Sequence, residues 1–298
     1  MPQVSVIVPN YNHAPFLKQR IDSILNQTFQ DFELILLDDC STDESREIML
    51  SYKDNPHVTH VVFNEQNGGS PFKQWDKGIR LAQGKWIWIA ESDDWADADF
   101  LATLMGQLEK HPECGLGFTL ANYIYPDKEW CPKETGETHV IDGKTFNCNH
   151  LLFRNEIYNV SMTVFQKVLY EQVDTSTFCD MKYCGDWMYY AQLCRQASVL
   201  FVQKSHSYFR QHSSNTTIQS EHQGKTFLEG LEVVMFIANE YKVPTSEYSR
   251  HWGRQLAKYE QKYEFDATTK RAVREYVRER AFMVYLWYLV YRMRKKCK

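Results

Sequence analysis

The sequence predicts an α/β fold: a mostly parallel central sheet flanked by helices, followed by a helical C-terminal extension. Three observations predict it. Short apolar runs alternate with segments of helical periodicity between residues 4 and 121, and such alternation implies right-handed crossovers between parallel strands. The runs are apolar at almost every position, as expected for strands covered by helices on both faces. From about Glu221 onward the pattern is helical to the end.

Taken in order, residues 4–8 (VSVIV) read as a first strand. Phe16, Leu17, Ile21, Ile24 and Leu25 then fall at helical spacing. Residues 32–37 form a second apolar run. Ser41 with Glu44 has the spacing of a capping box opening a helix to about Tyr52. Residues 58–63 are a third strand, and Asn67-Gly68-Gly69-Ser70 is a turn into a helix ending near Gly84. Residues 86–90 are a fourth strand, 98–110 a helix and 116–121 a strand.

Residues 122–150 lose this regularity and read as an excursion. Strands are expected again at 160–165, 199–202 and 206–210, with a helix beginning at Asp186 and running through Leu193. The expected division is a catalytic domain over 1–215 and a helical extension over 216–298.

Composition sets limits. The chain has 298 residues, is 43% hydrophobic and 24% charged, and carries a net charge of only −4, so nothing in its overall balance favours nucleic acid. The eight cysteines include no C-x-x-C pair, which argues against structural zinc. Residues 4–8 are too short for the apolar core of a secretory signal, and no run reaches the roughly 20 apolar residues that span a bilayer. A cytoplasmic location with reduced thiols is therefore expected. The tail is different: residues 270–298 hold ten Lys/Arg and two Glu, and 281–291 are wholly apolar. Such a helix either lies on the inner face of the cell membrane as a peripheral contact or packs on the protein with a solvated end.

In open parallel sheets, ligands bind beyond the carboxyl ends of strands. Here those ends read Pro9-Asn10-Tyr11-Asn12, Asp38-Asp39-Cys40-Ser41-Thr42-Asp43 and Glu91-Ser92-Asp93-Asp94. One crevice would then receive an aromatic ring, many carboxylates and little positive charge. Like charges about 4 Å apart repel by roughly 4 kcal/mol in a partly dry site. A bare phosphate ligand would add to that repulsion, whereas a divalent cation relieves it, and Mg2+ or Mn2+ prefers such oxygen ligands. Taken alone, the Asp93-Asp94 pair is better read as a helix cap.

The ordered set VSVIVPNYN, ILNQTF, LDDCSTD and ESDD resembles the family 2 glycosyltransferases, which have the GT-A nucleotide-diphospho-sugar transferase fold. The resemblance covers residues 3–120 well and reaches 215 more loosely. It implies that Tyr11 stacks on a nucleotide base beside Pro9, that Asp39 accepts a hydrogen bond from the base, and that Asp93 contacts the ribose or sugar. It implies that Asp94 binds a Mn2+ or Mg2+ ion bridging the diphosphate. Tyr183-Cys184-Gly185-Asp186-Trp187 resembles the family's catalytic-base segment, with Gly185 in place of an acid. Asp186 is thereby implied as the base of an inverting transfer, its alternative being a helix N-cap. Tyr208-Phe209-Arg210-Gln211-His212 resembles a late segment in which Arg210 faces phosphate and His212 is a further metal ligand. The family often has an Arg-Asn pair after the Gly68-Gly69 turn. This chain has Trp75-Asp76 there, with Lys73 or Lys77 to replace the charge and Trp75 a sugar platform or a core residue.

The expected activity is transfer of a sugar from a nucleotide-diphosphate donor, UDP-sugar favoured, to a glycan or lipid-linked glycan in bacterial surface polysaccharide synthesis. Two alternatives fit the sequence less well. A sugar-phosphate nucleotidyltransferase would show a Gly-rich, Lys/Arg-containing loop after the first strand, and residues 10–15 (NYNHAP) have neither. A non-catalytic glycan-binding module would have no need of Asp39, Asp94 and Asp186. Trp130, Trp187 and Trp252 are further candidate sugar platforms, or packing elements.

Overall fold

The computed structural model describes residues 1–211 and 221–296. Its contacts divide into two compact units. The first comprises Met1–Gly143, Ile157–Lys182 and the chain from Gln192 through the last strand; the second comprises Lys144–Glu156, Tyr183–Ala191 and the C-terminal helices.

The first unit is built on one sheet. Its strands are β1 (Val4–Asn10), β2 (Phe32–Asp38), β3 (Val58–Phe63), β4 (Trp86–Ile89), β5 (Trp95–Ala96), β6 (Cys114–Ile124), β7 (Glu129–Trp130), β8 (Thr138–Ile141), β9 (Thr163–Gln166) and β10 (Ser198–Arg210). The spatial order is β3-β2-β1-β4-β9-β6-β10-β5, with β7 beside β6 and β8 beside β10. Pairing is parallel through β3-β2-β1-β4 and between β6 and β10, while β9 runs antiparallel to both β4 and β6. Every residue of β1, β2 and β4 is buried. Helices α1 (Ala14–Leu25), α2 (Ser45–Ser51), α3 (Pro71–Leu81) and α4 (Phe100–Leu108) are the crossovers. Register places Asn10 beside Asp38 and Ile7 beside Ile89, so β1 ends level with β2 and runs three residues past the end of β4, and the loops that follow all three lie along the same C-terminal side of the sheet.

Several expectations are refined. The capping box is not formed: α2 starts at Ser45, and the Ser41 hydroxyl instead accepts the Asn12 N–H at 2.9 Å and Asn10 Nδ2 at 3.2 Å. Ser41 bridges two strand ends rather than capping a helix. The expected strands at 199–202 and 206–210 are one strand, β10, whose register shifts at Val202/Ser205 and Ser205/Ser207. The bulges interrupt the alternation that would have joined them. The excursion at 122–150 contains β7, β8 and the short helix α5 (Gly143–Phe146). Short helices α6 (Lys167–Tyr170) and α7 (Thr175–Cys179) follow β9.

In the second unit, the start of α8 (Gly185–Leu193) joins α9 (Lys225–Tyr241), α10 (Thr245–Lys262), α11 (Ala267–Arg280) and α12 (Phe282–Lys296). Phe227, Leu231, Val234, Ile237, Trp252 and Leu256 are buried at its centre. Glu260, itself buried, receives two hydrogen bonds from Arg274 at 2.7 and 3.0 Å and one from the Tyr288 hydroxyl, tying α10, α11 and α12 together. No helix among the described residues is long and apolar enough to cross a membrane.

Candidate active site

The first site element is the seam between β1 and β2. Asn12 and Cys40 sit just past the strand ends with φ of 56° and 65°. A non-glycine residue in this left-handed region carries strain, which the surroundings must hold. They do so here: Asn12 Oδ1 accepts the Thr42 N–H at 2.8 Å, and Asp43 accepts the Ala14 N–H at 2.9 Å and the Ser45 N–H at 3.1 Å. On the other side, His13 Nδ1 lies 2.8 Å from Ser92 Oγ, linking the β1 loop to the β4 loop. Pro9 is buried in β1, while the Tyr11 ring is 47% exposed, free of the core and able to stack on a ligand.

Asp39 is 5% exposed and held by donors. Its Oδ1 accepts from Asn64 Nδ2 at 2.6 Å, Gln74 Nε2 at 2.7 Å and the Gly68 N–H at 2.9 Å; the same N–H is 3.0 Å from Oδ2. The carboxylate is fixed in orientation before any ligand arrives. Lys77 donates to Asn64 Oδ1 at 2.6 Å, and so supports this network from behind; Lys73 donates to the Gly68 carbonyl.

At the end of β4, Glu91, Asp93 and Asp94 lie in one short turn. Glu91 Oε1 accepts the Trp75 indole N–H at 2.8 Å. Burial, aided by the Asp93 charge, pushes the Glu91 carboxyl up to about 8, and the Trp75 hydrogen bond opposes that rise. Trp75 is only 3% exposed, so it is a core residue with a polar edge and not a sugar platform. Asp94 is 1% exposed. Its Oδ2 accepts from Asn159 Nδ2 and Ser161 Oγ, each at 2.7 Å, and its Oδ1 accepts the Arg210 N–H at 3.0 Å. Burial and the neighbouring Asp93 raise its pKa to about 6. Both of its oxygens are thus engaged by protein donors, whereas Asp93 is partly exposed at the same turn.

Sequence reasoning missed the cation beneath these acids. Arg20 of α1 is completely buried; its Nε donates to the Glu91 carbonyl at 2.8 Å, and its Nη2 is 3.9 Å from Asp94 Oδ2. Among the described residues, neither terminal nitrogen has a hydrogen-bond partner. Burial lowers its pKa to about 10, and the three acids oppose that fall, so it stays charged at neutral pH. The signal was present in the sequence: Leu17, Arg20, Ile21 and Ile24 share one helix face, so an arginine stood where the pattern demanded an apolar residue.

Arg210 is held at the same edge. Its Nε donates to the Asp93 carbonyl at 2.8 Å, its Nη2 donates to Gln19 Oε1 at 2.8 Å, and its guanidinium lies 4.6 Å from the ring centres of both Phe16 and Trp95. Downstream of the turn, Asp97, Asp99 and His206 bring one ligand atom each within 4.8 Å of one another. His206 Nδ1 is 2.9 Å from Asp99 Oδ1, and the Tyr208 hydroxyl donates to Asp97 at 3.1 Å. His212 lies outside the described residues.

Asp186 belongs to the second unit. It sits inside the first turn of α8, after Gly185, rather than at the cap. Asn155 Nδ2 donates to its Oδ2 at 2.9 Å, and burial raises its pKa to about 7, opposed by the Trp187 N–H. The preceding turn is fixed by Glu229, which accepts the Tyr183 and Cys184 N–H groups at 2.8 Å each. Trp187 and Trp252 are buried and donate to the Leu151 and Leu152 carbonyls, so both are packing elements; Trp130, of the first unit, is 52% exposed.

The fold and the acid-rich strand ends define the class: a GT-A nucleotide-diphospho-sugar transferase fold. The sequence profile described as "Glycosyl transferase family 2" matches residues 5–171, and the chain belongs to that family. It is 35% identical over 131 residues to the putative teichuronic acid biosynthesis glycosyltransferase TuaG of Bacillus subtilis, covering 44% of this chain and 50% of that protein. It is 34% identical over 140 residues to the glycosyltransferase GlyG of Streptococcus pneumoniae, covering 47% and 46%. The chain spans about half the length of the curated relatives it matches. Among solved structures it resembles S. aureus TarS 1–349 in complex with UDP, with a TM-score of 0.64 and 19% identity over 88% of this chain and 72% of that one.

Proposed function

We propose that this chain is an inverting, metal-dependent glycosyltransferase. It moves a sugar from a nucleotide-diphosphate donor, UDP-sugar favoured, to a glycan or lipid-linked glycan in bacterial surface polysaccharide synthesis. The observation that carries the reading is the meeting of three strand ends, which sets the exposed ring of Tyr11, the fixed carboxylate of Asp39 and the Glu91–Asp94 acids along one sheet edge. The names of the relatives support the polysaccharide setting, and UDP in the related structure supports the choice of base.

Tyr11 and Pro9 receive the base, Asp39 accepts its N–H, and Asp93 faces the ribose–diphosphate. The acids fit a hard divalent cation. Glu91 and Asp94 have raised pKa values from burial and the neighbouring Asp93 charge, and a Mg2+ or Mn2+ ion would offset both. Asp93 and Asp94 would hold it, Asp93 as the partly exposed carboxylate and Asp94 behind it; His212 is a further proposed ligand. The ion would neutralise charge developing on the departing diphosphate. Arg210 adds positive charge at the same edge. Asp186 takes the proton of the attacking hydroxyl, and its pKa of about 7 suits a general base. The catalytic domain is taken as 1–215 and the extension as 216–298, on the cytoplasmic side with a peripheral membrane contact through 270–298.

The test is transfer or hydrolysis of radiolabelled UDP-sugars with manganese, then with chelator. Loss of turnover in Asp93→Asn and Asp94→Asn and on chelation supports the reading. Full turnover under chelation refutes the metal role; sensitivity only to Asp97→Asn with Asp99→Asn would move the ion to the second cluster.

A further inference from the structure

We infer that α12 is a docking face for an anionic lipid surface, lying along the bilayer with its neighbouring arginines at headgroup level. This deepens the peripheral-membrane part of the reading above and is independent of the catalytic part.

The helix is apolar on two faces, and among the described residues one of them packs internally. Val284 and Tyr288 are 1% and 0% exposed. A Cβ at Gly253 of α10 would lie 2.7 Å from the Trp287 Cβ, the Tyr288 nitrogen and the Val284 carbonyl, so the two helix backbones touch. Tyr288 is fixed further by its hydroxyl, which donates to Glu260 and accepts from Arg292 Nη1 at 2.8 Å. The rotation of α12 is therefore set by the fold. On its other face Phe282, Met283, Leu286, Leu289 and Met293 are 56%, 42%, 37%, 37% and 60% exposed. Positions 282, 286, 289 and 293 recur every three or four residues, which makes them one continuous stripe. Isolated exposed apolar residues are ordinary; an aligned row of large ones marks an interaction surface.

Charge decides the occupant. The residues of α12 include no acid, and Arg292 and Arg294 lie at its C-terminal end. Arg250 and Arg254 of α10 stack over Trp287 and Tyr291 at 5.6 and 5.9 Å. On the α11 side, Arg271, Arg274 and Arg278, with one acid, Glu275, line a cleft of about 340 Å3 together with Tyr285 of α12, which is adjacent in the helix to Leu286. Arg274 is paired with Glu260, and Arg278 is exposed with Glu275 at 3.8 Å and Glu279 at 4.0 Å, long surface pairs that leave it open to a headgroup, while Arg271 is exposed. An apolar stripe bordered by arginines complements a surface that is apolar within and negative at the headgroups. A second copy of the chain fits poorly: a two-fold contact would set this arginine-bordered face against itself. The helix is too short and too charged to cross the bilayer.

The experiment is co-sedimentation of the full chain with vesicles of phosphatidylcholine, alone or mixed with phosphatidylglycerol, without nucleotide sugar. The chain should pellet with the mixed vesicles only and be released by high salt. Leu286→Glu with Leu289→Glu should lower partitioning by about tenfold or more, with unchanged melting temperature and molar mass. Arg271→Gln with Arg278→Gln should weaken it by several-fold. No pelleting, or equal pelleting with neutral vesicles, overturns the proposal. So does a wild-type dimer, seen by light scattering, that the double leucine variant converts to monomer. Because the assay needs no turnover, its failure leaves the catalytic reading standing, and the reverse holds.

Discussion

Arg20 Nη2 lies 3.9 Å from Asp94 Oδ2, and neither side chain has measurable contact with solvent beyond 1%. A buried pair of this kind is costly to break from one side, because the remaining charge is stranded. Arg20→Met should destabilise the fold by about 3–5 kcal/mol. Adding Asp94→Asn should recover part of that loss. Urea unfolding of the two single variants and the double gives the coupling; strict additivity would mean the pair does not interact.

The acids of the β4 turn make stability depend on pH. Glu91 and Asp94 have folded pKa values of about 8 and about 6, above ordinary carboxylates. The folded chain binds these protons more tightly than the unfolded chain, so the stabilisation is full in acid and is lost as pH rises through 6 and then 8. In chelator, this turn should lower the melting temperature progressively between about pH 5 and pH 8. Manganese should raise it, and more so at pH 8, since bound ion displaces protons and favours the folded state. A manganese shift that is the same at pH 5.5 and 8 would contradict this.

Asp186→Asn should lower the transfer rate by about 100-fold to 10,000-fold and leave donor affinity nearly unchanged. In the wild type, kcat/KM should rise with pH through about 7, because the base must be unprotonated, and then level off. Rapid-quench transfer and calorimetric titration with UDP separate the two effects; lost UDP binding would argue against a base.

Asp39→Asn replaces one oxygen of a carboxylate that accepts from Asn64, Gln74 and Gly68 by a donor nitrogen. An amide nitrogen in that place leaves N–H groups facing each other, at a cost of about 1–3 kcal/mol. The variant should bind UDP about tenfold or more weakly. Full UDP affinity in calorimetry would remove Asp39 from base recognition.

Tyr11→Ala should also weaken UDP binding, by the roughly 1–3 kcal/mol of one base stacked on an aromatic ring. Its effect on melting temperature should be small, since the ring is 47% exposed.

The sheet and the acidic strand ends were legible because both rest on local pattern. Residues 4–8 and 32–37 could be little else but buried strands, and in parallel order their ends must meet. What was not legible depended on partners distant in sequence. The Ser41–Glu44 spacing suits a cap, yet the hydroxyl found Asn10 and Asn12 instead. The donors that hold the Asp94 carboxylate, Asn159 and Ser161, come from a segment more than sixty residues on. Strand β5 has two residues and offers no period to detect. The apolar run 281–291 left two readings open, and α12 has a face for each: Val284 and Tyr288 inward, Leu286 and Leu289 outward.

The bond between the Trp75 indole and Glu91 also supplies an optical gauge. An indole whose N–H rests on a carboxyl group changes its emission when that group gains or loses charge or turns toward another partner. The difference in fluorescence between the wild type and a Trp75→Phe chain should therefore track the filling of the β4 turn in real time, with no label attached.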